Sequence, residues 1–309
     1  MRWLSDAAVD HLRAVADRPD LGGTPYELAE PIARGGMGTV YRARDRRLDR
    51  DVALKVMNAP APAPGEIERM RDEARILARL EHPGIVPVHD IGTLPDGRLF
   101  YVMKLVRGRR LAEATSGAPL HARLRTFERI CEAVAFAHAQ GVVHRDLKPE
   151  NVMVGPFGEV LVLDWGVARV LSTDEEDHGA VLGTPGYMPP EQARGETDRV
   201  DERADVYALG AVLGFLVSIE PGGARGPVAP RALEAICAKA RAARPQDRYA
   251  SVSELATEVE RFLAALPVEA YREGPVERVR RLATKYRPPL LLVAVYLLMR
   301  VLLALAARL

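Results

Sequence analysis

The chain has 309 residues, of which 48% are hydrophobic and 28% are charged, so it has the composition of a globular protein and not of a disordered one. Its formal net charge of +1 argues against nucleic acid as a main ligand. Its two cysteines lie far apart in apolar stretches, which favours reduced core residues over a disulfide, and no cysteine and histidine cluster has zinc-ligand spacing.

The N-terminal residues predict a short helix and a connector ahead of the main domain. Apolar residues recur at helical spacing through residues 3–16, and Ser5 is a suitable N-cap. Residues 19–24 are rich in glycine and proline, which predicts a linker. The first 19 residues lack an apolar run, so no cleavable signal peptide is expected. We therefore predict an extension over residues 1–24.

A glycine-rich turn follows between two predicted strands. The strands cover residues 26–32 and 39–43, and the sequence ARGGMG at residues 33–38 joins them. Glycine is needed where backbone approaches an anion closely or takes a positive φ. Such a turn can cover phosphate groups with backbone N–H donors, and a plain hairpin turn is the alternative. The pattern G-x-x-x-x-G-K-[ST] occurs nowhere, which excludes a P-loop nucleotide hydrolase on motif grounds.

The next strand and helix each carry one charged residue of interest. Residues 51–57 alternate as a strand around Lys55, whose simplest role is to extend along an outer face to solvent. After a proline-rich connector, residues 66–80 predict an amphipathic helix. Taken alone, Glu73 in this helix is a solvent-facing residue.

Two more strands and a long helix are predicted before the centre of the chain. The strands cover residues 82–91 and 99–105 and are joined by a Pro-Asp-Gly turn. The helix covers residues 120–140 and ends at Gly141, as expected of a C-cap glycine.

The octet HRDLKPEN at residues 144–151 concentrates ionisable groups between two short apolar runs. The runs predict strands, so the octet is predicted to be a loop held at both ends. Asp146 is a proton acceptor, Lys148 a cation suited to phosphate and Asn151 an amide suited to a metal. Together these groups suit phosphoryl transfer, which depends on positioning and charge neutralisation. The alternative is a solvated turn.

The second half of the chain predicts one more strand and several helices. The strand over residues 160–163 ends in the tripeptide DWG at residues 164–166. The acidic run at residues 174–177 predicts a solvated loop. Helices are predicted over residues 231–240 and 251–266, after a Gly/Pro-rich connector.

The octet resembles the catalytic loop of eukaryotic-type protein kinases. The resemblance covers residues 26–266 and is strongest to bacterial serine/threonine kinases with a membrane anchor. It implies an α+β, bilobal protein-kinase fold over residues 25–266. Residues 25–104 would form a small lobe with an antiparallel β-sheet and one helix, and residues 105–266 a larger, mainly helical lobe.

The resemblance also implies roles for individual residues. Asp146 would accept the proton of the substrate hydroxyl, and Lys148 would neutralise the transferring phosphate. Asn151 and Asp164 would hold Mg²⁺, with Mn²⁺ as a second candidate, around bound ATP. Lys55 would contact the α- and β-phosphates and pair with Glu73. The other residues implied to contact ATP are Ile32, Ala33, Arg34, Gly35, Gly36, Met37, Gly38, Thr39, Val40, Ala53, Met103, Lys104 and Val106.

Four further residues in the family pattern are implied to form ion pairs or to brace the backbone. Glu191 would pair with Arg248, and Asp205 would brace the backbone of the catalytic loop. Arg145 would pair with a phosphorylated residue of the segment over residues 167–183, and the acidic run there is an alternative partner that mimics phosphorylation. The chain departs from the family pattern at Ala33, at Trp165, at Pro189 and in a shortened region over residues 219–230.

The C-terminal residues predict membrane attachment. Residues 267–289 are polar and basic, and residues 290–307 are almost wholly apolar. Eighteen helical residues span about 27 Å, close to the hydrocarbon thickness of a bilayer. Arg300 within the span costs about 2.5–3.5 kcal/mol on insertion, which does not exclude it. We predict a single-pass inner-membrane protein with its main domain in the cytoplasm; a surface-lying or oligomerising helix is the alternative.

Three functions compete on these observations. The first is an active kinase that transfers the γ-phosphate of ATP to serine or threonine of protein substrates, with a homodimer in which one copy phosphorylates the other. Thr184 and Lys148 favour serine/threonine over tyrosine kinases by resemblance. The second is a pseudokinase that acts as a nucleotide-responsive scaffold at the membrane, suggested by Ala33 and Trp165. The third is a small-molecule phosphotransferase on a related fold.

Overall fold

The structure is a computed structural model. It describes residues 18–58, 62–165, 169–170, 184–196, 200–218, 230–285, 295–296 and 299–300. The predicted helix over residues 3–16, the acidic run at residues 174–177 and nearly all of the connector at residues 219–230 lie outside these residues.

The first lobe is a five-stranded antiparallel sheet with one helix against it. Its strands are β1 (Tyr26–Arg34), β2 (Gly38–Asp45), β3 (Arg50–Met57), β4 (Val88–Thr93) and β5 (Leu99–Lys104). They lie in the order β1-β2-β3-β5-β4. The helix α1 (Pro64–Arg79) buries Met70, Ala74 and Leu77, which confirms the predicted apolar side.

Strand β3 has two buried faces with different roles. Successive side chains of a strand point to opposite faces. Val52, Leu54 and Val56 enter the outer core of the lobe, which also includes Leu21 from the predicted linker. Lys55 therefore points to the other face, toward α1, and is almost fully buried instead of extending to solvent.

The strand predicted over residues 82–91 is shorter than expected. Pairing begins only at Val88, because the preceding residues contain two prolines and form a turn in which Gly84 N donates to His82 Nδ1 at 3.0 Å. Ile85 makes a single parallel bridge to Val162 instead. Since Val162 belongs to the second lobe, this turn joins the two lobes.

The second lobe is mainly helical. Its helices in the described residues are α2 (Leu111–Thr115), α3 (Leu120–Ala139), α4 (Pro190–Ala193), α5 (Glu202–Ser218), α6 (Arg231–Ala240) and α7 (Val252–Leu263). Its short strands are β6 (Arg109–Arg110), β7 (Val142–Val143), β8 (Val152–Val154), β9 (Val160–Val162) and β10 (Arg169–Val170). The predicted α+β fold with a small sheet lobe and a larger helical lobe is therefore confirmed.

Helix α3 positions the octet at residues 144–151. It buries Phe127, Ile130 and Val134 in the core and ends one residue before Gln140. Gly141 follows with φ +74°, a left-handed conformation that suits glycine, and turns the chain into β7. The octet thus begins directly beside the core of the large lobe.

The C-terminal part differs from the prediction in two ways. Helix α7 ends at Leu263 and not at residue 266, because Ala265 takes a left-handed φ of +51°. The predicted polar connector also packs on α7: Val268 is buried, and the Glu258 carboxylate accepts hydrogen bonds from Glu269 N and Ala270 N at 2.9 Å. It continues into an eighth helix, α8 (Pro275–Lys285).

Among the residues that the structure describes, no helix is both long and apolar enough to cross a membrane. The span predicted over residues 290–307 lies almost entirely outside those residues and stays a prediction.

Candidate active site

The lysine of β3 pairs with the glutamate of α1. Lys55 Nζ lies 2.7 and 2.8 Å from the two carboxylate oxygens of Glu73, and both side chains are buried. Tyr101 OH donates to Glu73 Oε1 at 2.9 Å from strand β5. The expected ion pair is therefore present, and it couples the position of α1 to two strands of the sheet.

Tyr101 also reports on the charge around this pair. Burial raises the pKa of the Tyr101 phenol well above its ordinary value, and the Glu73 and Asp164 carboxylates raise it further. The phenol therefore stays a donor. Asp164 therefore acts on the same phenol as Glu73, although it lies 109 positions after Lys55 in the sequence.

The octet is held by a carboxylate beneath it. Asp205 in α5 is fully buried; its Oδ2 accepts from His144 N at 2.8 Å and its Oδ1 accepts from Arg145 N at 2.9 Å. His138 Nε2 lies 2.8 Å from Asp205 Oδ2. Burial alone would raise the pKa of Asp205, but the hydrogen bond and charge of His138 hold that pKa below its ordinary value. Asp205 therefore braces the backbone of the octet, as the resemblance implied. His138 is a further partner of Asp205 that the resemblance did not indicate.

We expect Asp205→Asn to lower the free energy of unfolding at pH 7 by about 1–3 kcal/mol, because an amide N–H would face backbone donors that lose their acceptor. The native-state pKa of Asp205 is depressed, so its stabilisation is present above the unfolded pKa of about 3.9 and is lost as the pH falls through the native value. The deficit of the variant should therefore shrink in acid. Urea unfolding at several pH values measures this.

Asp72→Asn is the matched control, since Asp72 pairs with Arg75 on the exposed side of α1. An exposed pair contributes about 0–1 kcal/mol, so the control should unfold close to wild type. A deficit for Asp205→Asn that stays constant down to acid pH would contradict the assigned role of its charge.

Lys148 and Thr184 converge on the Asp146 carboxylate. Lys148 Nζ lies 2.6 Å from Oδ2, and the Thr184 hydroxyl donates to Oδ1 at 2.9 Å. Lys148 Nζ also donates to Thr184 Oγ1 at 2.7 Å. The Asp146 carboxylate thus accepts from the Thr184 hydroxyl, and the Lys148 ammonium lies beside the same carboxylate. A carboxylate that accepts from a hydroxyl within hydrogen-bond distance is suited to act as a general base toward an alcohol.

Asn151 and Asp164 offer oxygen atoms suited to a hard cation. Asn151 Nδ2 donates to Asp146 O at 2.9 Å and lies 3.3 Å from Asp146 Oδ2, so the amide oxygen is the atom that can face a metal. Asp164 is exposed and takes a left-handed φ of +61°, a strained conformation that is found at functional sites. An amide and a carboxylate oxygen fit Mg²⁺ and Mn²⁺.

Backbone contacts bring these two residues together. Leu163 N donates to Asn151 O at 2.8 Å, and His144 Nε2 lies 3.1 Å from Leu163 O. Trp165 is buried, its ring packs 4.5 Å from that of His144, and its Nε1 donates to Val162 O at 3.3 Å. Trp165 therefore fixes the strand end that presents Asp164 next to the octet.

The glycine-rich turn closes on itself at the start of β2. Gly35 N donates to Gly38 O at 2.9 Å. A Cβ at Gly38 would lie 2.6 Å from Val56 O, so only glycine fits there. The predicted contact residues from Ile32 to Gly36 are exposed, whereas Gly38 and Thr39 are buried against β3.

Asn58 is a residue of this turn that the sequence did not single out. Its Nδ2 donates to Gly35 O at 2.8 Å and to Gly36 O at 3.2 Å. Its Oδ1 accepts from Thr39 Oγ1 at 2.7 Å. Asn58 therefore ties the tip of the turn to the end of β3 and acts as a positioning residue.

We expect Asn58→Ala to raise the KM for ATP by about 3- to 10-fold with little change in kcat, since it removes hydrogen bonds worth about 0.5–1.5 kcal/mol each from the turn. Initial rates over a range of ATP concentrations measure this. Asn58→Asp is the matched variant, because it keeps the acceptor for Thr39 and loses both donors. An unchanged KM in both variants, with unchanged thermal stability, would refute the positioning role.

The predicted adenine contacts lie along β3 and β5. Ala53 is buried and pairs in register with Met103. Lys104 N already donates to Pro87 O at 3.2 Å, so its carbonyl is the group that can accept from a base. Val106 follows the strand and is half-buried. Ala53 and Met103 lie on the same face of the sheet as Lys55.

A buried ion pair joins α4 to the turn between α6 and α7 in the large lobe. The two guanidinium nitrogens of Arg248 lie 2.7 and 2.8 Å from the two oxygens of Glu191, and both residues are buried. Arg248 also donates to Arg203 O at 3.0 Å and to Ala242 O at 2.8 Å. The pair implied by resemblance is present in bidentate form.

A sheet lobe, a helical lobe and this constellation between them define a protein kinase domain. The chain belongs to the protein kinase domain family, whose model matches residues 26–266. Its relatives include the serine/threonine-protein kinase PknB of Mycobacterium leprae, which is 38% identical over 275 residues, or 79% of this chain and 44% of the relative.

Two further relatives extend this comparison. PknB of Mycolicibacterium smegmatis is 40% identical over 262 residues, which cover 74% of this chain and 41% of that protein. The serine/threonine-protein kinase PknD of Protochlamydia amoebophila is 32% identical over 295 residues, or 77% of this chain and 30% of the relative. The chain thus spans less than half the length of these relatives.

Proposed function

We propose that the chain is an ATP-dependent protein kinase that phosphorylates serine and threonine. The observation that carries this proposal is the Asp146 carboxylate, which accepts from the Thr184 hydroxyl at 2.9 Å and contacts Lys148 Nζ at 2.6 Å. Family membership and the names of the relatives support the same activity.

Each residue then has a definite task. Lys55, oriented by Glu73, binds the phosphates of ATP. Asn151 and Asp164 would hold Mg²⁺ or Mn²⁺, which would supply charge neutralisation for the phosphates. Asp146 accepts the proton of the protein hydroxyl, and Lys148 stabilises the negative charge that develops on the transferring group.

The test is transfer of label from ATP to a generic basic protein by the full chain in detergent. We expect label on serine and threonine, dependence on Mg²⁺ or Mn²⁺, and its loss on chelation. Label on tyrosine alone would contradict the proposal. Nucleotide binding without transfer would favour the pseudokinase, against which the intact Lys55–Glu73 pair argues. Label on a small alcohol but not on protein would favour the small-molecule phosphotransferase.

We also propose that residues 290–307 anchor the chain in the inner membrane, with the kinase domain in the cytoplasm. The apolar run and the cations before it support this. Deletion of residues 290–309 should move the protein to the soluble fraction, and unchanged membrane association would refute the anchor. We further propose that one copy of the chain phosphorylates another copy. The rate of this autophosphorylation per molecule should then rise with protein concentration.

A further inference from the structure

Helix α8 contacts the large lobe through its polar side. The Glu277 carboxylate accepts from Tyr271 OH at 2.8 and 3.0 Å and from Gly274 N at 3.0 Å. Arg281 Nε donates to the Glu273 carboxylate at 2.8 and 2.9 Å. Arg281 Nη1 also donates to Ala265 O at 2.9 Å, just after α7, and Arg231 Nη1 of α6 lies 3.6 Å from Glu277 Oε1, so ion pairs and hydrogen bonds fix the helix against the domain.

The apolar side of the same helix faces solvent. Val276 is 79% exposed, Val279 is 67% exposed and Leu282 is 41% exposed. With about 100° of rotation per residue, this stripe lies on the side opposite Glu277 and Arg281. A helix on a soluble domain normally turns its apolar side to the core. In the part of the chain that the structure describes, α8 instead turns its apolar side to solvent.

The positive charge of α8 favours an anionic partner. Its sequence, PVERVRRLATK, contains four cations and one acid, and Arg278 is exposed beside the apolar stripe. A short helix with an apolar stripe and a basic polar side is suited to the surface of an anionic bilayer. At 11 residues it measures about 16 Å, far too short to cross the hydrocarbon region.

The position of α8 in the chain points the same way. Four residues, 286–289, separate its last residue from the apolar run that begins at residue 290. Four residues reach at most about 14 Å. The inference rests on the anchor proposed above, because that anchor would hold the end of α8 within this distance of the bilayer.

We propose that α8 lies on the anionic surface of the membrane, with Val276, Val279 and Leu282 inserted among the lipids. Its polar side then carries the kinase domain. The helix fixes which face of the large lobe is turned to the membrane, so the domain has a defined orientation instead of hanging from a free tether.

A fluorophore on a single cysteine tests this in the full chain. Cys131 is buried, and burial raises the pKa of Cys237 to about 12, so both native thiols react slowly. Val279→Cys carries the probe at the stripe, and Leu48→Cys, 64% exposed on the small lobe, is the control. Each protein is reconstituted into phosphatidylglycerol vesicles with brominated acyl chains, which quench a probe that enters the lipid. The apolar side of a helix on the membrane surface is buried about 5–10 Å deep.

We expect the probe at residue 279 to lose most of its fluorescence and the probe at residue 48 to keep it. Equal fluorescence at both positions, in a chain that still floats with the vesicles, would overturn the inference and leave the anchor standing. A chain that does not float with the vesicles would refute both the inference and the anchor. The kinase activity is measured in a separate assay, so its failure is distinguishable from theirs. Equal quenching in phosphatidylcholine would overturn the selection by charge. Self-quenching at residue 279 without lipid would assign the stripe to a second copy and overturn the inference.

Discussion

Replacing Asp146 with asparagine lowers kcat for protein phosphorylation by about 10²–10⁴-fold, the contribution expected of a positioned general base. The substitution keeps the shape of the side chain and its contacts with Lys148 and Thr184 within reach. It removes the ability to accept a proton. The KM for ATP should change little, because Lys55 and Asp164 are unaffected. Initial rates at saturating peptide, with label counted after separation, measure the effect.

Glu150→Gln is the matched control, since Glu150 is an exposed acid in the same octet. It should keep nearly the full rate. Both variants should unfold at the temperature of the wild type. If wild type and Asp146→Asn label protein equally, Asp146 is not the base and the kinase proposal fails with it.

Replacing Arg248 with methionine lowers the free energy of unfolding by about 3–5 kcal/mol, because it leaves the Glu191 carboxylate buried without its partner. The side chains of the pair are only 0% and 3% exposed, so water does not screen the loss. The same change removes donors to the carbonyls of Arg203 and Ala242. Chemical unfolding followed by the fluorescence of buried Trp165 measures the effect.

Two comparisons isolate burial as the cause. Arg244→Met breaks a nearby ion pair with Asp247, but those side chains are 71% and 44% exposed, so the change should cost under about 1 kcal/mol. The double variant Glu191→Gln, Arg248→Met should be less destabilised than the sum of its single variants. Strict additivity would show that the pair does not act as a unit.

Much of the fold could be predicted because the apolar spacing and the glycine and proline residues that end helices and strands agree. The apolar spacing in residues 66–80 placed α1 within two residues, and Gly141 marked the end of α3. The strand over residues 82–91 was wrong in its first half, because two prolines outweigh the apolar residues there. Local patterns therefore specify elements well until a backbone restriction competes with them.

The site shows where local patterns stop. Motif spacing indicated Lys55, Asp146 and Asp164. Tyr101 and Asn58 could not be found in this way, since their contacts depend on strand pairing. Tyr101 stands opposite Lys55 in the β3–β5 register, and Asn58 meets Gly35 only because the β2–β3 hairpin folds back.

The packing of Trp165 has a consequence for inhibitor design. A compound that needs the space filled by the Trp165 side chain can bind only after the indole swings outward. Here that movement would take an indole out of the core, separate it from the His144 ring and break its bond to Val162 O. Compounds that require the outward state should bind this kinase more weakly than compounds that occupy the adenine site alone.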